Sequence, residues 1–274
     1  MRNEEIRNMS TAELSSKSQT ADAPLLIPRP SKPWDDALRI VGHGEKFHND
    51  FTLVKDGEGT WHCIGSGGRD GSLDTLFHAV GASLHEPFEY LPKITSQTDP
   101  EAVHMWAPFA IRKDDETVFL YFSHLRGSLD KYMKDRDLWD WGTQFELRLM
   151  VSKTPDLRAW VPHAAPGLER GNVVFRAPTV RDPCIFWDEQ HQRYFMYYSA
   201  LIPATGGDGG LEGAIRVRTS KDLIYWSAAR TAMTTPPGYT NSESAFVLLR
   251  DGLYYLWVCG YNYGRMSLYI SDTP

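Results

Sequence analysis

Cysteine is scarce: Cys63, Cys184 and Cys259 are the only three in 274 residues. Their odd number and wide spacing argue against a disulfide framework or a paired metal-ligand motif, and each lies in an apolar run that reads as strand, so buried free thiols are expected. No run approaches the roughly 18 consecutive apolar residues that a membrane-spanning helix needs, and no membrane partner is expected. Residues 1–30 lack the apolar core of a signal peptide, which makes a cytoplasmic location the default. Basic charge is not in excess either. The formal net charge is -6, and no Lys/Arg cluster accompanies a nucleic-acid-reading motif, so nucleic acid is not an expected partner. The glycine-rich stretches Gly65–Gly68 and Gly206–Gly210 lack the strand-to-helix context of a phosphate loop, and no cofactor is expected.

Sustained helical spacing is also missing. Residues 1–37 are polar and then proline-rich (Pro24, Pro28, Pro30, Pro33) and read as a leader; residues 38–274 read as one all-β domain. There, short aromatic and β-branched runs are broken at intervals by Gly, Asp and Pro.

Four units repeat, each opening with strand, polar turn and strand: Phe51 to Ser66, Phe109 to Ser123, Cys184 to Ser199 and Phe246 to Gly260. Asp56-Gly57 and Asp251-Gly252 predict tight hairpins. Two units continue into nearly the same words, Ser152-Lys-Thr-Pro-Asp156-Leu157-Arg-Ala-Trp160 and Ser220-Lys-Asp222-Leu223-Ile-Tyr-Trp226. In these, Ser and Asp are expected to close a turn through side-chain to backbone bonds while Leu and Trp drop onto the sheet. His78 to Leu84 is a weaker form in unit one, and the last unit stops at Thr273-Pro274, before its Asp-Leu and Trp. The hairpin starts lie 58, 75 and 62 residues apart, which suits four-stranded propeller blades with loops inserted at Arg126 to Gly142 and Ala204 to Gly213. The expected fold is an all-β propeller that breaks off C-terminally after the fourth blade.

In a propeller the first strand of every blade lines the central axis, so equivalent positions converge. Just before that strand stand Asp50, Asp182 and Glu243, whereas unit two places Trp106-Ala107-Pro108 there. Carboxylates gathered around one cavity repel each other and lose water, which pulls their proton affinities apart. One acid and one base flanking a glycosidic bond is the chemistry such a set performs. Trp106 could stack on a sugar face, Arg181 could fork onto hydroxyls, and His48 and Asn49 flank Asp50, making these four candidate substrate contacts. The bland alternative for Asp50 and Asp182 is a turn residue; Glu243, ahead of an apolar strand, has no turn role. A metal at His48 has no second ligand at a meaningful spacing.

These residues resemble the five-bladed propeller glycoside hydrolases of families 43 and 32, across most of residues 40–274. The resemblance implies that Asp50 is base or nucleophile, that Asp182 within Arg181-Asp182-Pro183 is the stabiliser, and that Glu243 is the general acid. It also implies hydrolysis of furanosidic or pentosidic bonds in arabinose-, xylose- or fructose-containing oligosaccharides, with no cofactor. Two alternatives stand beside it: a family 32-like retaining β-fructosidase, and a carbohydrate-binding propeller without turnover. Substrate identity and oligomeric state are not encoded in these motifs, and relatives of this kind are often exported.

Overall fold

The computed structural model describes residues 47–68, 75–95, 102–126, 145–163, 173–176, 179–204, 210–236, 242–260 and 265–274. The expected leader and most of the 126–142 insertion lie outside them, as do the central residues of the second insertion.

All sixteen described elements are strands, and every pairing is antiparallel. The first sheet runs β1 (Phe47–Lys55), β2 (Trp61–Gly68), β3 (Leu76–Gly81) and β4 (Glu89–Tyr90). The second runs β5 (Ala102–Arg112), β6 (Val118–Arg126), β7 (Phe145–Ser152) and β8 (Trp160–Pro162), with β9 (Val173–Arg176) added alongside β7. The third holds β10 (Arg181–Asp188), β11 (Arg193–Pro203), β12 (Leu211–Ser220) and β13 (Arg230–Thr234). In the fourth are β14 (Ser242–Arg250), β15 (Leu253–Gly260) and β16 (Arg265–Ser271). First strands neighbour one another in sequence order, β1 beside β5, β5 beside β10 and β10 beside β14. This is the propeller arrangement, with four blades around one axis. Among the described residues no helix is long and apolar enough to cross a membrane.

Blades are held face to face by strands buried on both sides. In β11, Phe195 and Tyr197 join the cluster shared with Ala245, Val247 and Tyr254 of the fourth blade, while Met196 and Tyr198 join Tyr121, Phe145 and Leu147 of the second. A strand of period two with both faces covered reads as a continuous apolar run. That is why the aromatic runs at 194–198 and 254–257 show little alternation in the sequence.

The repeated Ser-Asp-Leu segments behave as expected. Ser220 accepts the N–H of Asp222 (3.2 Å) and of Leu223 (3.0 Å), and Asp222 accepts those of Ile224 and Tyr225 (both 2.9 Å). Leu157 and Leu223 take positive φ (52° and 65°) and are buried, and Tyr121 donates its hydroxyl to the Leu223 carbonyl. Trp160 is buried and Trp226 packs half-buried on the core between the second and third blades. The last unit starts the same turn, Ser271 accepting from the Thr273 N–H at 3.1 Å.

One turn departs from expectation. Arg250 pairs with Leu253, so Asp251 (φ 53°) and Gly252 (φ 78°) form a two-residue loop with both φ positive, as a primed hairpin turn requires. In the first blade, Lys55 pairs with Trp61, which leaves a five-residue loop, not an Asp-Gly pair. Asp56 causes the difference: its Oδ1 accepts from Glu58 N–H (2.9 Å) and Thr60 N–H (2.8 Å), and the positive φ falls on Gly59. The thiols also split, with Cys63 and Cys184 buried and Cys259 half-buried.

Candidate active site

Each first strand carries a β-bulge near its start. Its partner strand skips between Asn49 and Phe51, between Trp106 and Phe109, between Arg181 and Cys184, and between Glu243 and Phe246. At every bulge one non-glycine residue has positive φ: Asp50 (36°), Ala107 (45°), Asp182 (56°) and Ser244 (52°). Such bulges re-aim side chains. In a regular strand consecutive side chains point to opposite faces, yet here they meet. Asn49 Nδ2 donates to Asp50 Oδ2 at 3.1 Å, and Arg181 Nε lies 3.5 Å from Asp182 Oδ2.

This geometry corrects the expected register. The acids stand within the first strands, not ahead of them, and only Asp50 and Asp182 share an address. Glu243 is one residue earlier, level with Asn49, Trp106 and Arg181, and Ser244 holds the bulge. The side chains still converge. Arg181 Nη2 donates to Glu243 Oε2 at 2.7 Å while its Nε faces Asp182, so one guanidinium bridges two of the three carboxylates.

The three carboxyl groups feel one another. Burial pushes the Asp50 carboxyl up from the usual 3.8 to about 7, helped by the charges of Asp182 and Glu243 and opposed by Arg181. Glu243 is also raised, by burial first; the Arg181 charge and hydrogen bond pull it back, and the Asp182 charge adds to the rise. Cys259, directly across from Glu243 on β15, is raised by burial and then by Glu243, Asp182 and Asp50. A cavity of about 470 Å³ runs along the axis from Asp50 and Asp182, which line it while Arg181 and Glu243 do not, and its size is within the range of small-molecule sites. All four bulge residues line it, followed by apolar side chains such as Phe51, Leu53, Phe109 and Phe246.

The expected substrate contacts divide. Arg181 and Asn49 touch the acids. Trp106, level with Arg181 in the repeat, stacks on His104 (centroids 5.9 Å apart) and packs on Phe145. His48 bonds through Nε2 to the Tyr90 hydroxyl (2.6 Å) and sets its ring edge to Phe77, which ties it to outer strands of its own blade. Among the described residues no group of three or more His, Cys, Asp or Glu could hold a metal ion.

Sequence reasoning missed a set of small residues. Ser66, Ser123, Ser199 and Cys259 lie directly across from Asn49, Trp106, Arg181 and Glu243. Ser66 accepts the Ala107 N–H at 2.8 Å and Ser123 the Asp182 N–H at 3.1 Å, each reaching from one blade to the next. The signal is present in the sequence, since three inner hairpins end on serine; the fourth ends on Cys259, one residue before the expected Gly260.

No protein-family model and no curated protein sequence matches the chain. Solved structures do. The GH43 endo-arabinanase from Bacillus licheniformis superposes with a TM-score of 0.57 at 16% identity, over 83% of this chain and 72% of that one. A thermostable family-43 glycoside hydrolase gives 0.59 at 17% identity, over 83% and 69%. The GH43_1 enzyme from Xanthomonas citri, complexed with xylotriose, gives 0.57 at 18% identity, over 86% and 72%. At these identities the likeness establishes the fold, a β-propeller of the kind those hydrolases share.

Proposed function

We propose that the chain is a glycoside hydrolase acting on furanosidic or pentosidic bonds in arabinose- or xylose-containing oligosaccharides. The observation that carries the reading is that Asp50 and Asp182 line the axial cavity, that Arg181 ties Asp182 to Glu243, and that the three carboxyl groups feel one another's charge. The structural neighbours, arabinanases and an enzyme complexed with xylotriose among them, support the substrate class.

Glu243 protonates the departing glycosidic oxygen, Asp50 acts from across the sugar on water or on the anomeric carbon, and Asp182 binds hydroxyls and sets the charge felt by Asp50. In the ligand-free state Arg181 favours the ionised form of Glu243. A substrate whose hydroxyls draw the guanidinium away removes that influence, so Glu243 gains proton affinity as the bond to be cleaved arrives. Trp106 offers an aromatic wall at the same level as Arg181, suited to the apolar face of a sugar.

Sugar release from a panel of nitrophenyl arabinofuranosides, xylosides and fructosides, with arabinan and xylo-oligosaccharides, tests the reading. Turnover of an arabinoside or xyloside is expected. Exclusive turnover of fructosides would replace the substrate class, and sugar affinity with no turnover would make the chain a carbohydrate-binding propeller.

A further inference from the structure

Three serines occupy one register position in the first three blades: Ser66, Ser123 and Ser199 face Asn49, Trp106 and Arg181. All three are buried, Ser199 completely. Two obey one rule, in which the hydroxyl of one blade accepts the bulge N–H of the next: Ser66 from Ala107 and Ser123 from Asp182. Extended to the third blade, the rule has Ser199 accepting the N–H of Ser244. Instead that N–H donates to Asp182 Oδ2 at 3.0 Å, and Ser199 Oγ donates to the same oxygen at 3.2 Å. The carboxylate has entered the clasp and turned the serine from acceptor into donor, a reversal that a hydroxyl can make and that a backbone N–H cannot.

We propose that Ser199 is a positioning residue for Asp182, its hydroxyl clamping one carboxylate oxygen against the Ser244 N–H across the boundary between the third and fourth blades. Both donors sit on elements packed into the core between those blades, so the oxygen they share is fixed by the scaffold and not by the Asp182 rotamer alone. Arg181 Nε, 3.5 Å from the same oxygen, is thereby steadied, and its Nη2 carries the constraint on to Glu243. A chain of contacts runs Ser199, Asp182, Arg181, Glu243. Support by groups that never touch substrate is how reacting groups are held within fractions of an ångström of a working geometry.

The kinetic consequence rests on the hydrolase reading; the clamp itself does not, and two measurements separate them. The groups facing Asp50 are Asp182 and Arg181 from β10, Glu243 from β14 and Cys259 from β15. Loss of the Ser199 hydroxyl frees the Asp182 carboxylate to swing from the clamped position toward solvent and away from Asp50, which weakens the charge that raises Asp50 and lets its carboxyl fall back toward its ordinary range. Carbon-13 titration of Asp carboxyl groups in Ser199→Ala therefore shows the signal that titrates near 7 moving down by about half a pH unit or more. Ser66→Ala, the same deletion at the same repeat position with only a backbone N–H losing its acceptor, leaves that signal in place. On whichever glycoside the wild type turns over, Ser199→Ala lowers kcat by about 10- to 100-fold with KM within about threefold. Ser199→Thr, which keeps the donor, restores it. If Ser199→Ala fails to fold, Ser199→Cys, a weak donor, takes its place in the comparison. An unchanged titration in the Ser199 variant, or an equal shift in Ser66→Ala, overturns the proposal. A wild type that turns over none of the panel defeats the hydrolase reading, while the titration still decides the clamp.

Discussion

Arg181 Nη2 lies 2.7 Å from Glu243 Oε2, and this pair joins the third blade to the fourth one residue before the bulge residues Asp182 and Ser244 that line the axial cavity. Both side chains are mostly shielded from water, with 10% and 20% exposure, so the contact is worth more than a surface ion pair. On the proposed hydrolase reading it is also the contact that has to yield before Glu243 serves as a proton donor.

Glu243→Gln keeps the shape and a hydrogen-bonding carbonyl oxygen toward Arg181 but can donate no proton to a departing alkoxide. Its turnover of a natural oligosaccharide is expected to fall by about 10² to 10⁴, the usual contribution of general acid catalysis. Sugar affinity measured by calorimetry should stay within about threefold of wild type. An aryl glycoside with a good leaving group needs little protonation, so its rate should fall far less. Equal losses on both substrates would remove the acid role from Glu243.

For Asp50 the sign of the pH dependence follows from the role proposed for it. A base must be ionised, and burial together with the charges of Asp182 and Glu243 holds its carboxyl protonated up to about 7. The free-enzyme profile, kcat/KM against pH, is therefore expected to rise through about 7, since that ratio reports groups in unliganded protein. A profile that falls through the same point would hand the proton to Asp50 and make it the acid.

The same group predicts a stability effect that needs no substrate. The Asp50 carboxyl titrates at about 7 in the folded chain against a usual 3.8. Between those values the folded chain binds a proton that the unfolded chain releases, so its contribution to stability is full below 3.8 and is lost as pH climbs through about 7. Above that range the buried, crowded carboxylate is a liability of roughly 2 to 4 kcal/mol. Asp50→Asn should thus raise the denaturation midpoint at pH 8 and change it little at pH 4. Destabilisation at pH 8 would mean that the Asp50 carboxyl is held protonated neither by burial nor by its acidic neighbours.

Much of this was legible in the chain itself. Four strand-turn-strand units, the Ser-Asp-Leu turns and the acids near the first strands are local patterns, and repetition multiplied their weight. What stayed hidden is register. A bulge adds one residue without any composition signal, so the sequence pattern sets Glu243 level with Asp50 and Asp182 although it stands one step earlier, and points to Gly260 where Cys259 holds the position. The loop after Lys55 misled for a related reason, because the carboxylate of Asp56 caps backbone N–H groups and makes a longer loop competitive with the Asp-Gly turn. His48 shows the limit of adjacency: two residues from Asp50, it is drawn to Tyr90, 42 residues away.

At the turn of the third blade, Tyr254 of β15 donates its hydroxyl to Asp188 Oδ2 at 2.5 Å, and His191 Nδ1 lies 2.9 Å from the same oxygen. Asp188 Oδ1 accepts the N–H of Gln190 (2.8 Å) and of His191 (3.1 Å). Burial alone would raise the Asp188 carboxyl, but these bonds, that of Tyr254 foremost, hold it below its usual range. Tyr254→Phe removes one donor from a buried carboxylate and leaves the ring packed on Phe186. The expected loss is about 1.5 to 3 kcal/mol at neutral pH. Because the lost bond favours the ionised form, the deficit should shrink as acid protonates Asp188 in both proteins, and denaturation curves at pH 7 and pH 3 would show it. A deficit of the same size at both would assign the role of Tyr254 to packing between the blades and not to the charge it serves.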